Sequence, residues 1–242
     1  TSGTDVWLGI NAKGVKDGAN VAIGNTSTAN GHNTVAVGNW ATVSTNYSTA
    51  VGGHSDCGGT YAVAVGYNTD AWGSLATVLG AYSEAASGGV SLGAYANAGL
   101  SGGGGAESVA IGYQVDAAGG NAIAVGPGTQ AAGTSAIAIG HDATSPGSHG
   151  IAIGNAAVSS EKTWVIASGA TAAAVGISGV FGSYVAIPND QKLAVGGHIP
   201  TYTVDALGHG ATVRGSGVIV GNSGVVLASS SAPTVKANTL YN

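Results

Sequence analysis

The sequence predicts an all-β protein, a parallel β-solenoid or β-roll of stacked fourteen-residue coils. Three observations predict it. A short β-branched phrase returns every fourteen residues, a second glycine trails the first by about seven, and the composition allows only a thin core. Of 242 residues 44 are glycine, one is phenylalanine and none is methionine, while 44% are apolar. Most of that apolar content is Ala, Val and Ile. A chain so apolar and so poor in charge is not disordered by the polar route, and small side chains must fill its core.

The opening segment, residues 1–20, reads as a lead-in. Trp7-Leu8-Gly9 is a degenerate first coil, and Trp7 is placed to cap an open coil end. Terminal units need such a cap because a bare strand edge invites further pairing.

Residues 21–156 carry the repeat. Val21-Ala22-Ile23-Gly24 has counterparts ending at Gly38, Gly52, Gly66 and Gly80, each fourteen residues on. Gly93 follows at thirteen and Gly112 at nineteen, and Gly126, Gly140 and Gly154 resume the step of fourteen. Ten units thus lie between residues 21 and 154. The long step is one unit with five residues inserted, and Gly99-Leu100-Ser101-Gly102-Gly103-Gly104-Gly105 reads as the surface loop that holds them. A fixed short period of this kind marks a repeat architecture.

The second glycines are Gly31, Gly59, Gly73, Gly119, Gly133 and Gly147. Each unit is therefore two half-turns that close on glycine, the residue that takes a positive φ at a tight corner without steric cost. The Val-Ala-Ile piece is short and β-branched, so it is a strand. No helix-period stripe competes with it. Side chains alternate along a strand, so Val21 and Ile23 face one way and Ala22 the other. Both faces are apolar. One fills the interior of the coil, and the other meets a second chain, with three-fold closure as the economical solution. The alternative is an Ala-lined outer face left open.

Residues 157–242 lose the period and read as a smaller, irregular β region that continues into a longer parent chain. Glu161-Lys162-Thr163-Trp164-Val165-Ile166 is a junction strand. Val218-Ile219-Val220 and Val225-Val226-Leu227 form a hairpin around Gly221 to Gly224. Thr1 and the abrupt Asn242 mark the chain as a segment.

Ser108-Val109-Ala110-Ile111-Gly112, its recurrence and the Ala-x-Gly half-turn resemble the YadA-like head repeat of trimeric autotransporter adhesins. The resemblance covers about residues 20 to 156. It implies a left-handed roll, a homotrimer and a role in adhesion. Ala232-Pro233-Thr234-Val235-Lys236-Ala237-Asn238-Thr239-Leu240-Tyr241-Asn242 resembles a segment of phage tail-fibre proteins. The charged heptad helices expected of an autotransporter neck are missing, which favours a virion fibre.

Chemistry is sparse. Six Lys and Arg and a net charge of −5 exclude a nucleic-acid surface. One cysteine, Cys57, excludes an intramolecular disulfide framework, and no stretch is apolar for long enough to span a membrane. His54-Ser55-Asp56-Cys57 groups a nucleophile with a base but reads as a polar turn. His141-Asp142 and the pair Asp205 and His209 lack the three or four converging ligands of a metal site. Carboxylates are scattered singly, whereas a glycosidase needs a close pair. No enzyme, metal or cofactor is expected.

The two positions after each motif glycine hold Trp40, His54, Tyr67, Tyr82, Tyr95, Tyr113 and His141. On successive coils these form a column along the shaft. Flat amphipathic rings in a row suit contact with sugars or protein surfaces. Packing over a corner or in a groove between subunits is the favoured reading of them. The first six are the receptor-binding candidates. The leading expectation is a trimeric phage tail fibre or spike that attaches to a host cell through a glycan or protein receptor, beside other virion proteins. The head of a bacterial surface adhesin, a passive spacer and a polysaccharide depolymerase are the alternatives.

Overall fold

The computed structural model describes residues 5–15, 18–99, 106–166, 168, 169 and 171, and, beyond these, the backbone of short strands up to residue 228. The glycine-rich insertion after Gly99, the turn 221–224, His209 and the tail-fibre-like segment 232–242 lie outside the described residues. The described elements are β-strands only. They fall into two units, residues 1–128 and 129–242.

In the first unit each coil runs from a three-residue strand through a corner to a two-residue strand, then through a second corner to the next coil. Val21–Ile23 pairs in parallel with Val35–Val37, residue for residue, and Val35–Val37 with Thr49–Val51. The same register runs through Val63–Val65, Thr77–Leu79, Val90–Leu92, Val109–Ile111 and Ile123–Val125. The two-residue strands make a second parallel ladder, from Lys13–Gly14 to Asp116–Ala117. Successive long strands stand about 4.8 Å apart, as in any sheet.

The interior is narrow because alanine lines it from both sheets. Ala22, Ala36, Ala50 and Ala64 on the long strands have no exposed surface, nor have Ala29, Val43, Cys57 and Ala71 on the short ones. The β-branched neighbours point outward and stay partly exposed: Leu79 by 42%, Ile111 and Ile123 by 37% each. Apolar residues therefore do cover both faces of the long-strand sheet, and the outer face is the one left open.

The corners show why the repeat needs its glycines. Gly52 sits at φ 131°, and a Cβ there would overlap the carbonyl oxygen of Gly66 in the next coil. Its N–H donates to Val37 O at 2.7 Å, tying coil to coil. Gly59 is different from expectation. It closes the second corner because a Cβ would overlap Gly73, while the left-handed residue of that corner is Tyr61, at φ 59°. Close approach, not a positive φ, selects the second glycine. The left-handed places fall to Trp40, His54, Asn68 and Tyr82 at the first corner and to Asn33, Tyr47 and Tyr61 at the second. Such backbone costs about 1 kcal/mol or more per residue. The inter-coil ladder holds it, with Trp40 N–H donating to Asn25 O and Tyr82 N–H to Tyr67 O, both at 2.9 Å.

At the start of the unit Trp7 stands in register with Ala22, and its indole nitrogen reaches toward Gly14 on the opposite strand. It is 41% exposed.

In the second unit Ile137–Ile139 pairs in parallel with Ile151–Ile153, and that strand with Thr163–Ile166. The ladder continues after the phrase is gone. Ile151 pairs Trp164, which pairs Gly179, then Leu193, Asp205 and Val218 follow in turn. The spacing wanders between twelve and fifteen residues, too variable to show as a period. Gly217–Val220 then pairs antiparallel with Val225–Ala228, the two arms of a hairpin.

Candidate functional site

Six rings of the first unit form one continuous column. Trp40 to His54 measures 6.2 Å between centroids, His54 to Tyr67 5.9 Å, Tyr67 to Tyr82 5.4 Å, Tyr82 to Tyr95 5.1 Å and Tyr95 to Tyr113 6.0 Å. Trp40, Tyr67, Tyr82, Tyr95 and Tyr113 are each about half exposed. All six candidates are thus brought together, though not at one place in the coil. Trp40, His54, Tyr82 and Tyr95 occupy the left-handed position two residues after the corner glycine. Tyr67 and Tyr113 stand one residue earlier, and Asn68 and Gln114 take the left-handed φ in their coils.

That difference sets the ring geometry. Rings from the same position lie parallel, Trp40 on His54 at 4° and Tyr82 on Tyr95 at 5°. Rings from different positions meet edge to face, at 77°, 72° and 86°. Both arrangements suit aromatic quadrupoles at such spacings. The column gains its mutual contacts and keeps an open face.

His141, in the second unit, is not part of a ring column. Its Nδ1 lies 3.0 Å from Asp142 Oδ2 on the surface.

Beside the column runs a ladder of acids that the sequence pattern did not expose. On the short strands Asp56 pairs in register with Asp70, Asp70 with Glu84, Glu84 with Asn97 and Asn97 with Asp116. These are the outward residues of their strands, since the inward partners Cys57, Ala71 and Ala98 are fully buried. Burial pushes the Asp70 carboxyl up to about 7, and the charges of Asp56 and Glu84 add to it. Burial likewise raises Asp116. It raises Glu84, with the Asp116 charge adding, and Asp56, against a hydrogen bond from the Cys57 backbone.

A cleft of about 320 Å³ joins ladder and column. His54, Tyr82 and Tyr95 of the column and Asp70, Glu84 and Asn97 of the ladder line it, together with Thr69. The signal for the ladder was in the sequence, at the fourth residue after each corner glycine, but it is visible only once the register fixes which residues stack.

Alternation takes the His54-Ser55-Asp56-Cys57 group apart. His54 joins the column, the Ser55 hydroxyl donates to Gly52 O at 3.0 Å, Asp56 faces out and Cys57 faces in. The buried Cys57 thiol is pushed up to about 12, chiefly by burial. Among the described residues no group of three His, Cys, Asp or Glu converges to hold a metal ion.

Comparison with known proteins places the repeat. Segments 21–39, 29–55, 58–83, 104–129, 117–143 and 131–157 match the YadA head domain repeat. A search of solved structures finds similarity to the collagen-binding domain of the Yersinia adhesin YadA, at 26% identity over 64% of this chain and 74% of that one, with a TM-score of 0.33. No curated protein matches the chain significantly. Over those segments the chain is similar to YadA head repeats.

Proposed function

We propose that the chain is the head of a homotrimeric surface adhesin and binds host matrix or host cells through the ring column. The half-exposed six-ring column carries the reading. The fold needs no such rings: other coils put Thr26 or Ala156 at the same left-handed position. Six aromatics on six successive coils are therefore there for what they touch.

The repeat match supports the bacterial cell surface over the virion fibre. It covers most of the coil array, whereas the tail-fibre likeness rests on eleven terminal residues and no comparison matches them. The outer face of the long strands supports assembly. Its Val, Leu and Ile side chains, interrupted by Thr49 and Thr77, run the length of the first unit on one side, a contiguous apolar strip of the kind that marks an interaction surface. Three copies packed through it would bury it and present three equal columns. Attachment would then gain by multivalency what each column lacks in affinity.

Two measurements test this. Ile111→Glu puts a charge on the outer face and should shift the sedimenting species from trimer to monomer. Tyr67→Ala/Tyr82→Ala/Tyr113→Ala should keep the trimer and lose adhesion to matrix-coated or cell-coated plates. A well-folded monomeric native chain would overturn the assembly. Adhesion unchanged in the triple variant would leave the rings with packing alone.

A further inference from the structure

The acids and the rings occur on the same coils. His54 goes with Asp56, Tyr67 with Asp70, Tyr82 with Glu84 and Tyr113 with Asp116, while Tyr95 goes with the neutral Asn97 and Trp40 with Thr42. Elsewhere in the repeat the ladder position holds Thr28, Thr42, Gln130 or Thr144, so the fold does not call for acids. Stacking like charges directly opposite one another in a sheet is unfavourable. No Lys or Arg occurs between Lys16 and Lys162, so the coils of the ladder carry none, and among the residues lining the cleft His54 alone can take a positive charge.

The site is short of donors as well. The Oδ1 atoms of Asp56, Asp70, Asn97 and Asp116 are out of contact with solvent and without a hydrogen-bond partner. Thr69, which lines the same cleft, is 1% exposed and its hydroxyl has no partner. Its counterparts Ser27, Ser55 and Ser83 each donate to the corner glycine carbonyl three residues back. Half-buried acids with no Lys or Arg beside them, next to open ring faces, define the missing chemistry.

We propose that the cleft between ring column and acid ladder binds an extended, lysine- or arginine-rich peptide segment of the surface to which the protein attaches. Its cationic side chains lie against the carboxylates and over the rings. Ammonium and guanidinium groups are attracted both to carboxylates and to aromatic faces. The ladder residues that line the cleft, Asp70, Glu84 and Asn97, span two steps, about 10 Å at the strand spacing, and Asp56 and Asp116 extend the line by one step at each end, so that an extended segment of about six residues spans it all. A metal ion is a poor fit, because the acids form a line and do not converge. The ladder belongs to the short-strand sheet, so it stays open when chains assemble through the long-strand face. An occupying cation also removes the repulsion that helps to hold the Asp70 carboxyl near 7.

The inference rests on the adhesin reading for where the segment comes from, so its test runs in two arms. In solution, fluorescein-labelled hexalysine is titrated with the full chain at physiological salt and followed by polarisation. Asp70→Asn/Glu84→Gln should weaken binding at least fivefold. Glu107→Gln/Asp142→Asn, an equal loss of charge at exposed residues that do not line the cleft, should change it less than twofold. Tyr82→Leu should cost about threefold. Circular dichroism confirms the fold of each variant. In the second arm the same variants are scored for adhesion. No hexalysine binding, or equal losses in the two charge-matched doubles, overturns the cationic occupant and leaves an adhesion defect of the tyrosine variant to stand by itself. Binding that depends on Asp70 and Glu84 with adhesion intact in the tyrosine triple supports the cleft chemistry and sinks the adhesin role of the column.

Discussion

Replacing Asp70 with asparagine should make the protein more stable at pH 8 and leave it nearly unchanged at pH 4. Asp70 stacks between Asp56 and Glu84, and its carboxyl is raised from an ordinary 3.8 to about 7. A group whose folded value is raised binds its proton more tightly in the folded state. Its folded form is therefore favoured at low pH, and stability is lost as pH climbs from about 4 through about 7, with no further change above. Each decade of difference is worth about 1.4 kcal/mol, so a fully enclosed group would forfeit about 4 kcal/mol. Asp70 is only half enclosed, and solvent screening cuts this to roughly 1–2 kcal/mol. Asparagine keeps the shape and carries no charge, so the variant escapes the loss. For a chain of this size that is a rise in Tm of roughly 2–8 °C at pH 8. Thermal unfolding followed by circular dichroism at fixed protein concentration, at pH 4 and 8, reads it directly. These conditions lie on either side of the pI of 5.5. An equal gain at both pH values, or a loss at pH 8, would refute the account of a strained, uncompensated ladder.

Cys57 should resist Ellman's reagent in the native protein and react at once in denaturant, because the thiol is fully buried and pushed up to about 12; fast native labelling would show the coil opening there. Ala64→Leu should destabilise by about 1–3 kcal/mol, the usual cost of overpacking, because the Ala-lined interior has no room for the larger side chain; urea unfolding measures it, and a neutral result would mean a looser interior than the structure shows. Gly52→Ala should be worse than Ala64→Leu in the same assay, since its Cβ would meet backbone, which cannot swing aside.

The coil was legible in the sequence because each of its needs falls on a fixed residue of the unit. Gly52 is glycine since the next coil passes within contact of its Cα, and Ala64 is small since two sheets meet over it. Such demands repeat on every coil, and repetition is what a single sequence can display. The ring column was legible for the same reason, as a recurrence after the corner glycine. Its finer geometry was not. Whether Tyr67 stacks or meets Tyr82 edge-on depends on a one-residue offset within the corner, and that matters only once the coils are superposed. The left-handed residues were missed for a related reason: Trp40, Tyr61 and Tyr82 adopt a conformation their side chains disfavour, held there by hydrogen bonds from the neighbouring coil.

The acid ladder is the instructive omission. Asp56, Asp70, Glu84 and Asp116 are far apart in the chain and look scattered, and scattered acids are normally a solvated surface. Parallel in-register stacking converts their fourteen-residue separation into one strand spacing. The same conversion that lets a solenoid build a column of rings builds a column of charge, and the two have opposite energetics. Rings at this spacing attract, whereas carboxylates repel and lose solvent. A fold that carries the second beside the first, with no Lys or Arg on those coils, forgoes at pH 8 the stability that Asp70→Asn should recover.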